Sequence, residues 1–182
     1  MTIILRATVQ PAGTWMGLEH AGQKNSLPNQ NSVALAMSNS ARTVAILGAT
    51  GSIGRSTAEV VQAAPERLKI VGLTANRHLD ELCKLAWQVQ PRWVVATDEE
   101  AARCFDWSAL PVGTELLTGQ AGIQQLVASA DVDVVVAAIV GSAGLQGTWS
   151  ALSAGKTVAL ANKETLVMAG PLVMKLAKDC AA

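Results

Sequence analysis

The chain has 182 residues, half of them apolar, with 14 basic and 14 acidic side chains and a formal charge of zero. That length suits one well-packed domain rather than two large ones, and the neutral balance offers no electrostatic footprint for nucleic acid. The longest apolar run, residues 134–140, falls far short of the about 20 residues that a spanning helix needs, so no membrane partner is expected.

Residues 1–41 are rich in Asn, Gln, Ser, Gly and Pro and hold no period of 2 or 3.6, so a disordered amino-terminal extension is expected there. Two readings of it stand side by side. The scarcity of acids and the scattered serines fit an organellar transit peptide, which would place the protein in a plastid. Met37, six residues ahead of the first strand, fits a translation start and a cytoplasmic protein. Cys83, Cys104 and Cys180 are odd in number, far apart and without a C-x-x-C pair, as expected of reduced thiols in a reducing compartment. His20 and His78 have no metal-ligand spacing.

Residues 43–54, T-V-A-I-L-G-A-T-G-S-I-G, read as strand, tight turn and helix. Gly48 permits the turn, Gly51 lets a backbone N–H approach a phosphate, and Gly54 lets helix and strand pack closely. The spacing is G-x-x-G-x-x-G, so a glycine-rich turn without a ligand remains the competing reading. A helix follows over about residues 52–63, with Val60 and Val61 facing inward. Residues 68–74 form a second strand, and Leu79, Leu82, Cys83, Ala86 and Val89 mark one buried helix face that Pro91 ends. Residues 93–96 are a third strand; Thr97 or Asp98 caps a short helix that carries Glu99 and Glu100 in its first turn. Residues 115–117 form a short strand, and Ile123, Leu126, Val127 and Ala130 one face of another helix. Residues 132–139 are a strand covered on both sides. A helix with Leu145, Trp149 and Leu152 runs to Gly155, and residues 157–160 make the last strand.

This alternation predicts an α/β, Rossmann-like, doubly wound and mostly parallel sheet with helices on both faces. Ligands of such sheets lie at the carboxyl ends of the strands, where residues 48–54, 74–78, 141–144 and 162–164 would meet. A fold of this kind that prefers NAD carries an acid at the end of its second strand, about 20 residues past the glycines. Here stand Asn76, Arg77 and His78 instead, with a cation able to pair a 2′-phosphate, so NADP is expected over NAD. In the A-L-A-N-K-E block, Lys163 can meet a substrate anion and Asn162 and Glu164 can bond a ligand; equally, Asn162 caps a helix and Glu164 sits in its first turn.

Together A-I-L-G-A-T-G-S-I-G, L-T-A-N-R, A-A-I-V-G-S-A-G-L and A-G-K-T-V-A-L-A-N-K-E-T-L-V closely resemble the amino-terminal domain of 1-deoxy-D-xylulose 5-phosphate reductoisomerases. The resemblance covers residues 43–182 and implies a homodimeric enzyme. It would convert 1-deoxy-D-xylulose 5-phosphate to 2-C-methyl-D-erythritol 4-phosphate in non-mevalonate isoprenoid biosynthesis, with NADPH and Mg or Mn. It implies that Thr50, Gly51, Ser52 and Ile53 line the NADPH pyrophosphate and that Asn76, Arg77 and His78 surround the adenosine end. It further implies that Asn162 and Glu164 touch NADPH and that Lys163 contacts the sugar phosphate. His78 stands where the family commonly has Asn, and Gly147 replaces a usual Pro, which is expected to loosen a loop.

In the family a P-V-D-S-E-H strand with the metal ligands follows the A-N-K-E helix, and the sequence holds no such segment. The expectation is therefore an NADP-binding domain over residues 42–182, without catalytic residues, metal ligands or the family's catalytic and carboxy-terminal domains, that binds NADPH without turnover. Pro171 should kink the last helix, much of which would lack a packing partner. Among the alternatives, a short-chain dehydrogenase needs a catalytic tyrosine, and the chain has none. A non-enzymatic NADP-binding or sensing module fits the same residues.

Overall fold

The computed structural model describes residues 3–5 and 41–180. Among these residues seven strands form one sheet: β1 (Ile3–Leu5), β2 (Arg42–Leu47), β3 (Leu68–Ala75), β4 (Trp93–Ala96), β5 (Glu115–Thr118), β6 (Val134–Ala137) and β7 (Thr157–Leu160). Their order is β1-β7-β6-β2-β3-β4-β5, with every pairing parallel except that of β1 on β7. The Rossmann-like expectation holds. Within the segment expected to be disordered, residues 3–5 pair as an edge strand, and residues 1–2 and 6–40 lie outside the described residues.

Alternation along β2 divides the core in two. Val44 and Ile46 face one side with Ile70, Leu73 and Val94, where α1 (Ser52–Gln62), α2 (Leu79–Val89) and α3 (Glu99–Cys104) supply Ala58, Val61, Leu82, Ala86 and Ala102. Ala45 and Leu47 face the other side with Val95, Val135 and Val158. There α4 (Gly119–Ala128), α5 (Ala143–Ser153) and α6 (Lys163–Asp179) supply Ile123, Leu126, Leu152 and Val173. Both faces of the central strands are thus covered, which is why they read as near-continuous apolar runs rather than alternating ones. A register shift after Val44, opposite Ile70 and Gly72, adds one residue to β3, and Leu126 packs where Gly72 would carry a side chain.

Three inward-facing assignments are corrected. Val60 is 64% exposed, whereas Gly54, Ala58 and Val61 form the buried stripe of α1. Ala130 lies beyond α4, whose C-cap is Ser129, and Trp149 is 40% exposed while Gly144, Gly147, Thr148 and Ala151 fill the inner face of α5. Small residues carry that face because α5 packs against α4 and α6 at close range, a signal that bulk hydrophobicity does not register. Gly147 is accordingly not in a loop. It lies within α5, and a Cβ there would stand 2.8 Å from Leu47 Cδ1. Strand β6 is also shorter than expected, ending at Ala137 before a loop that leads into α5. The kink of α6 falls at Ala169, two residues ahead of Pro171, with φ −139° and ψ 21°. Beyond it Val173 and Ala177 are buried and Leu172 and Met174 face outward, as do Val167 and Met168 ahead of it.

Candidate dinucleotide site

Strand β2 delivers the chain to Gly48, whose φ of 84° is strained for any residue with a side chain. A Cβ on Gly48 would also stand 3.1 Å from the backbone of Ala138 at the end of β6. The turn is anchored to β3 through Thr74: Gly48 N–H donates to its Oγ1 at 3.0 Å and Ala49 N–H to its carbonyl at 2.8 Å. Thr74 is wholly buried, so its hydroxyl satisfies a donor that would otherwise be lost in the core. Gly54 lies directly on the turn, where a Cβ would come within 2.3 Å of the Gly48 carbonyl oxygen. These contacts account for the glycines at 48 and 54 by packing. Gly51 is different: its Cβ would meet only the Gly48 oxygen, at 3.4 Å.

Helix α1 begins at Gly51 with no side-chain cap and no acid in its first turn. The contrast inside the same fold is direct. Asp98 caps α3 by accepting from the N–H groups of Glu100 and Ala101, with Glu99 and Glu100 following, and Asn162 caps α6 by accepting from Thr165 N–H. Helices α4 and α5 also start without a side-chain cap or a first-turn acid, so the positive end of α1 is one of three that can face an anion from outside the chain.

The turn forms one wall of a cavity of about 630 Å³, nearly twice the hollow of about 340 Å³ between α1 and α2. Thr50, Gly51, Ser52 and Ile53 line it from the turn, and Asn76, Arg77 and His78 from the end of β3. Seven of the residues singled out from sequence thus meet at one opening. Asn76 Nδ2 donates to Thr97 Oγ1 at 3.0 Å and Arg77 Nε to Asp98 Oδ2 at 3.1 Å, which ties the loop after β3 to the loop after β4. Only Nε of Arg77 is engaged among the described residues, and the side chain is 79% exposed, so its terminal nitrogens remain available as a fork. The backbone N–H groups of α3 and the Arg77 guanidinium together hold the Asp98 carboxyl below its ordinary range, the hydrogen bond from Ala101 contributing most.

Asn162, Lys163 and Glu164 do not line this cavity. Asn162 is buried, its Nδ2 donating to the carbonyls of Ile139 at 2.6 Å and Gly141 at 2.9 Å while Oδ1 caps α6. The capping reading of the A-N-K-E block is the observed one. Through those two carbonyls Asn162 also fixes the loop after β6, whose Ala138, Ile139 and Val140 line the same cavity next to the glycine turn. Lys163 is exposed and Glu164 half-buried in the first turn of α6. Sequence reading missed Thr97, Gln120, Ile123 and Gln146 of the lining, because their strands and helices carry no motif and only the sheet order brings them to this edge.

Among the described residues no group of three His, Cys, Asp or Glu stands together to hold a metal ion, so the residues present do not fit a metal centre. No helix of the described residues is long and apolar enough to cross a membrane. Cys83, buried in α2, has its thiol pushed up chiefly by burial and further by Asp80, which leaves it an inert core residue.

Residues 44–170 match the profile of the 1-deoxy-D-xylulose 5-phosphate reductoisomerase family. The chain belongs to that family. It is 44% identical over 138 residues to the reductoisomerase of Methylobacillus flagellatus, covering 76% of this chain and 35% of that protein. To the one of Geotalea uraniireducens it is 46% identical over 137 residues, covering 75% and 36%. Among solved structures, the Zymomonas mobilis reductoisomerase in complex with NADPH superposes with a TM-score of 0.67 at 35% identity, over 77% of this chain and 37% of that one. A DOX-P reductoisomerase in complex with NADPH, fosmidomycin and magnesium gives 0.70 at 42% identity, over 78% and 35%. The chain therefore spans little more than a third of the length of the reductoisomerases it matches.

Proposed function

We propose that residues 42–182 form the NADPH-binding domain of a 1-deoxy-D-xylulose 5-phosphate reductoisomerase, with the dinucleotide lying across the cavity at the carboxyl ends of β2, β3 and β6. The observation that carries this reading is the uncapped, acid-free start of α1 at Gly51, opening into the same cavity as Arg77. The pyrophosphate is assigned to Thr50, Gly51, Ser52 and Ile53 at the start of α1, where the Gly51 N–H itself donates to the Gly48 carbonyl at 3.2 Å. The 2′-phosphate is assigned to the free fork of Arg77, with Asn76 and His78 beside it. NADPH supplies a hydride; the chain binds it, orients it by the turn and the β6 loop, and covers one side of it with Ile139 and Val140.

Asn162 acts on the cofactor through the loop it holds, and Lys163 and Glu164 follow it in the first turn of α6, with Lys163 left to meet the phosphate of the sugar substrate. Reductive isomerisation of 1-deoxy-D-xylulose 5-phosphate, dependence on Mg or Mn and a homodimeric state belong to the same proposal for the whole enzyme. For the domain by itself, the same reading is NADPH binding without turnover. Plastid and cytoplasmic locations both accommodate this reading.

Amide resonances of the isotope-labelled chain titrated with NADPH test it. Gly48, Gly51, Ser52, Ile53 and Arg77 should shift, while Arg92 and Asp131 at the opposite edge of the sheet should not. No shifts, or shifts centred on Arg92 and Asp131, would overturn the assignment.

A further inference from the structure

Among the polar groups of the cavity that neither the glycine turn nor the phosphate contacts use, one is buried. Gln120, the second residue of α4, lines the cavity together with Ile123 and with Asn76 and Arg77 of the loop after β3. Its Nε2 is buried from solvent and has no hydrogen-bond partner among the described residues. A buried amide donor without a partner is costly, so a group that completes it is favoured before any other contact is made. Two other polar side chains of the lining are engaged: Asn76 bonds Thr97, and Thr97 bonds the Ala75 carbonyl. Gln120 alone has an amide end still to satisfy among these three.

The surroundings say what kind of group completes it. Ala75, Ile123, Ala138 and Ile139 give the same cavity apolar lining, and the cation that would take the 2′-phosphate lines it too. An apolar slot with one amide at its end suits a planar heteroaromatic base rather than a sugar or a phosphate. A side-chain amide presents a donor and an acceptor side by side, the complement of the amino group and adjacent ring nitrogen of adenine. The last torsion of a glutamine side chain is soft, so turning the amide into the slot costs little.

We infer that Gln120 is the adenine-reading residue of the dinucleotide site, its Oε1 accepting from the exocyclic amino group and its Nε2 donating to a neighbouring ring nitrogen. The inference rests on the NADPH reading above and adds the residue that selects the base.

The test compares NADP+ with its 1,N6-etheno derivative, whose bridged base has no amino proton to give, on the full chain and on Gln120→Leu and Gln120→Glu. Wild type should bind NADP+ more tightly than the etheno compound. Gln120→Leu should weaken NADP+ by about tenfold, the worth of one good amide–adenine pair, and leave the etheno compound unchanged, so the preference shrinks. Gln120→Glu keeps the acceptor but sets an anion against the ring nitrogen, and should weaken NADP+ as well. Unaltered melting curves exclude misfolding as the cause. If both variants keep the wild-type preference, or wild type has none, the assignment of Gln120 is wrong while NADP+ binding stands. If wild type binds neither dinucleotide, the NADPH reading fails and this one with it.

Discussion

Replacing Gly54 by alanine separates packing from ligand approach within the glycine turn. A Cβ at 54 would lie 2.3 Å from the Gly48 carbonyl oxygen, 2.6 Å from Ala49 Cα and 2.7 Å from Ala49 O. All three are backbone atoms, so no side chain can swing aside, and α1 must lift from the turn by about 1 Å to reach ordinary contact. Overpacking of this kind costs about 1–3 kcal/mol, and the upper end applies where only backbone can give. Alanine recovers about 1 kcal/mol through its better helix propensity. The net expectation for Gly54→Ala is a loss of about 2 kcal/mol. Gly51→Ala meets only one atom, at 3.4 Å, and should cost about 0.5 kcal/mol as a poorer helix cap. Its methyl group nevertheless occupies the approach to the uncapped α1 terminus, so Gly51→Ala should lose NADPH affinity while staying folded. Urea unfolding followed by tryptophan fluorescence, with NADPH titrations on both variants, reads the two effects apart. Gly54→Ala unfolding within 0.5 kcal/mol of Gly51→Ala, two values separated above by about 1.5 kcal/mol, would refute the packing argument.

Thr74→Val keeps the side-chain shape but leaves Gly48 N–H without its acceptor in a buried site, and should lower unfolding free energy by about 1–3 kcal/mol in urea titration. Asp98 has its carboxyl held below the ordinary 3.8, so its contribution is fully present above that value and disappears as pH falls through the lower folded-state value. Asp98→Asn should therefore lower the melting temperature at neutral pH and converge with wild type at the acid end; parallel curves down to acid would contradict this. Asn162→Asp retains the α6 cap but faces the carbonyls of Ile139 and Gly141 with a carboxylate. NADPH affinity should drop at neutral pH and recover in part when mild acid protonates the group, a pH response that wild type should lack.

Much of the fold could be read from the chain because its core strands are short runs of Val, Ile, Leu and Ala between punctuating glycines and prolines. Residues 93–96 and 157–160 coincide with β4 and β7, and Pro91 follows a left-handed Gln90 that ends α2. Reading failed where burial depends on small residues. The inner face of α5 is Gly144, Gly147, Thr148 and Ala151, while the apolar Trp149 points outward, so a hydrophobic pattern picks the wrong side. At the site, the glycine turn and Arg77 were legible because their chemistry is local: positive φ, close approach and the missing acid after β3. Gln120 and Thr97 were not, since nothing in their own segments marks them and only the strand order β2-β3-β4-β5 carries them to the opening. The role of Asn162 was half legible, because capping is a local property, whereas its grip on the Ile139 and Gly141 carbonyls is a contact across more than 20 residues of chain.

The most direct test of the account is a pair of titrations, NADPH against NADH, on the chain and on Arg77→Glu. The chain should bind NADPH more tightly by at least about tenfold, the worth of one charge-assisted phosphate contact, and Arg77→Glu should reverse the order. Equal affinities for the two dinucleotides, or an order that survives Arg77→Glu, would contradict the assignment of the 2′-phosphate to Arg77 and with it the placement of the cofactor in this cavity.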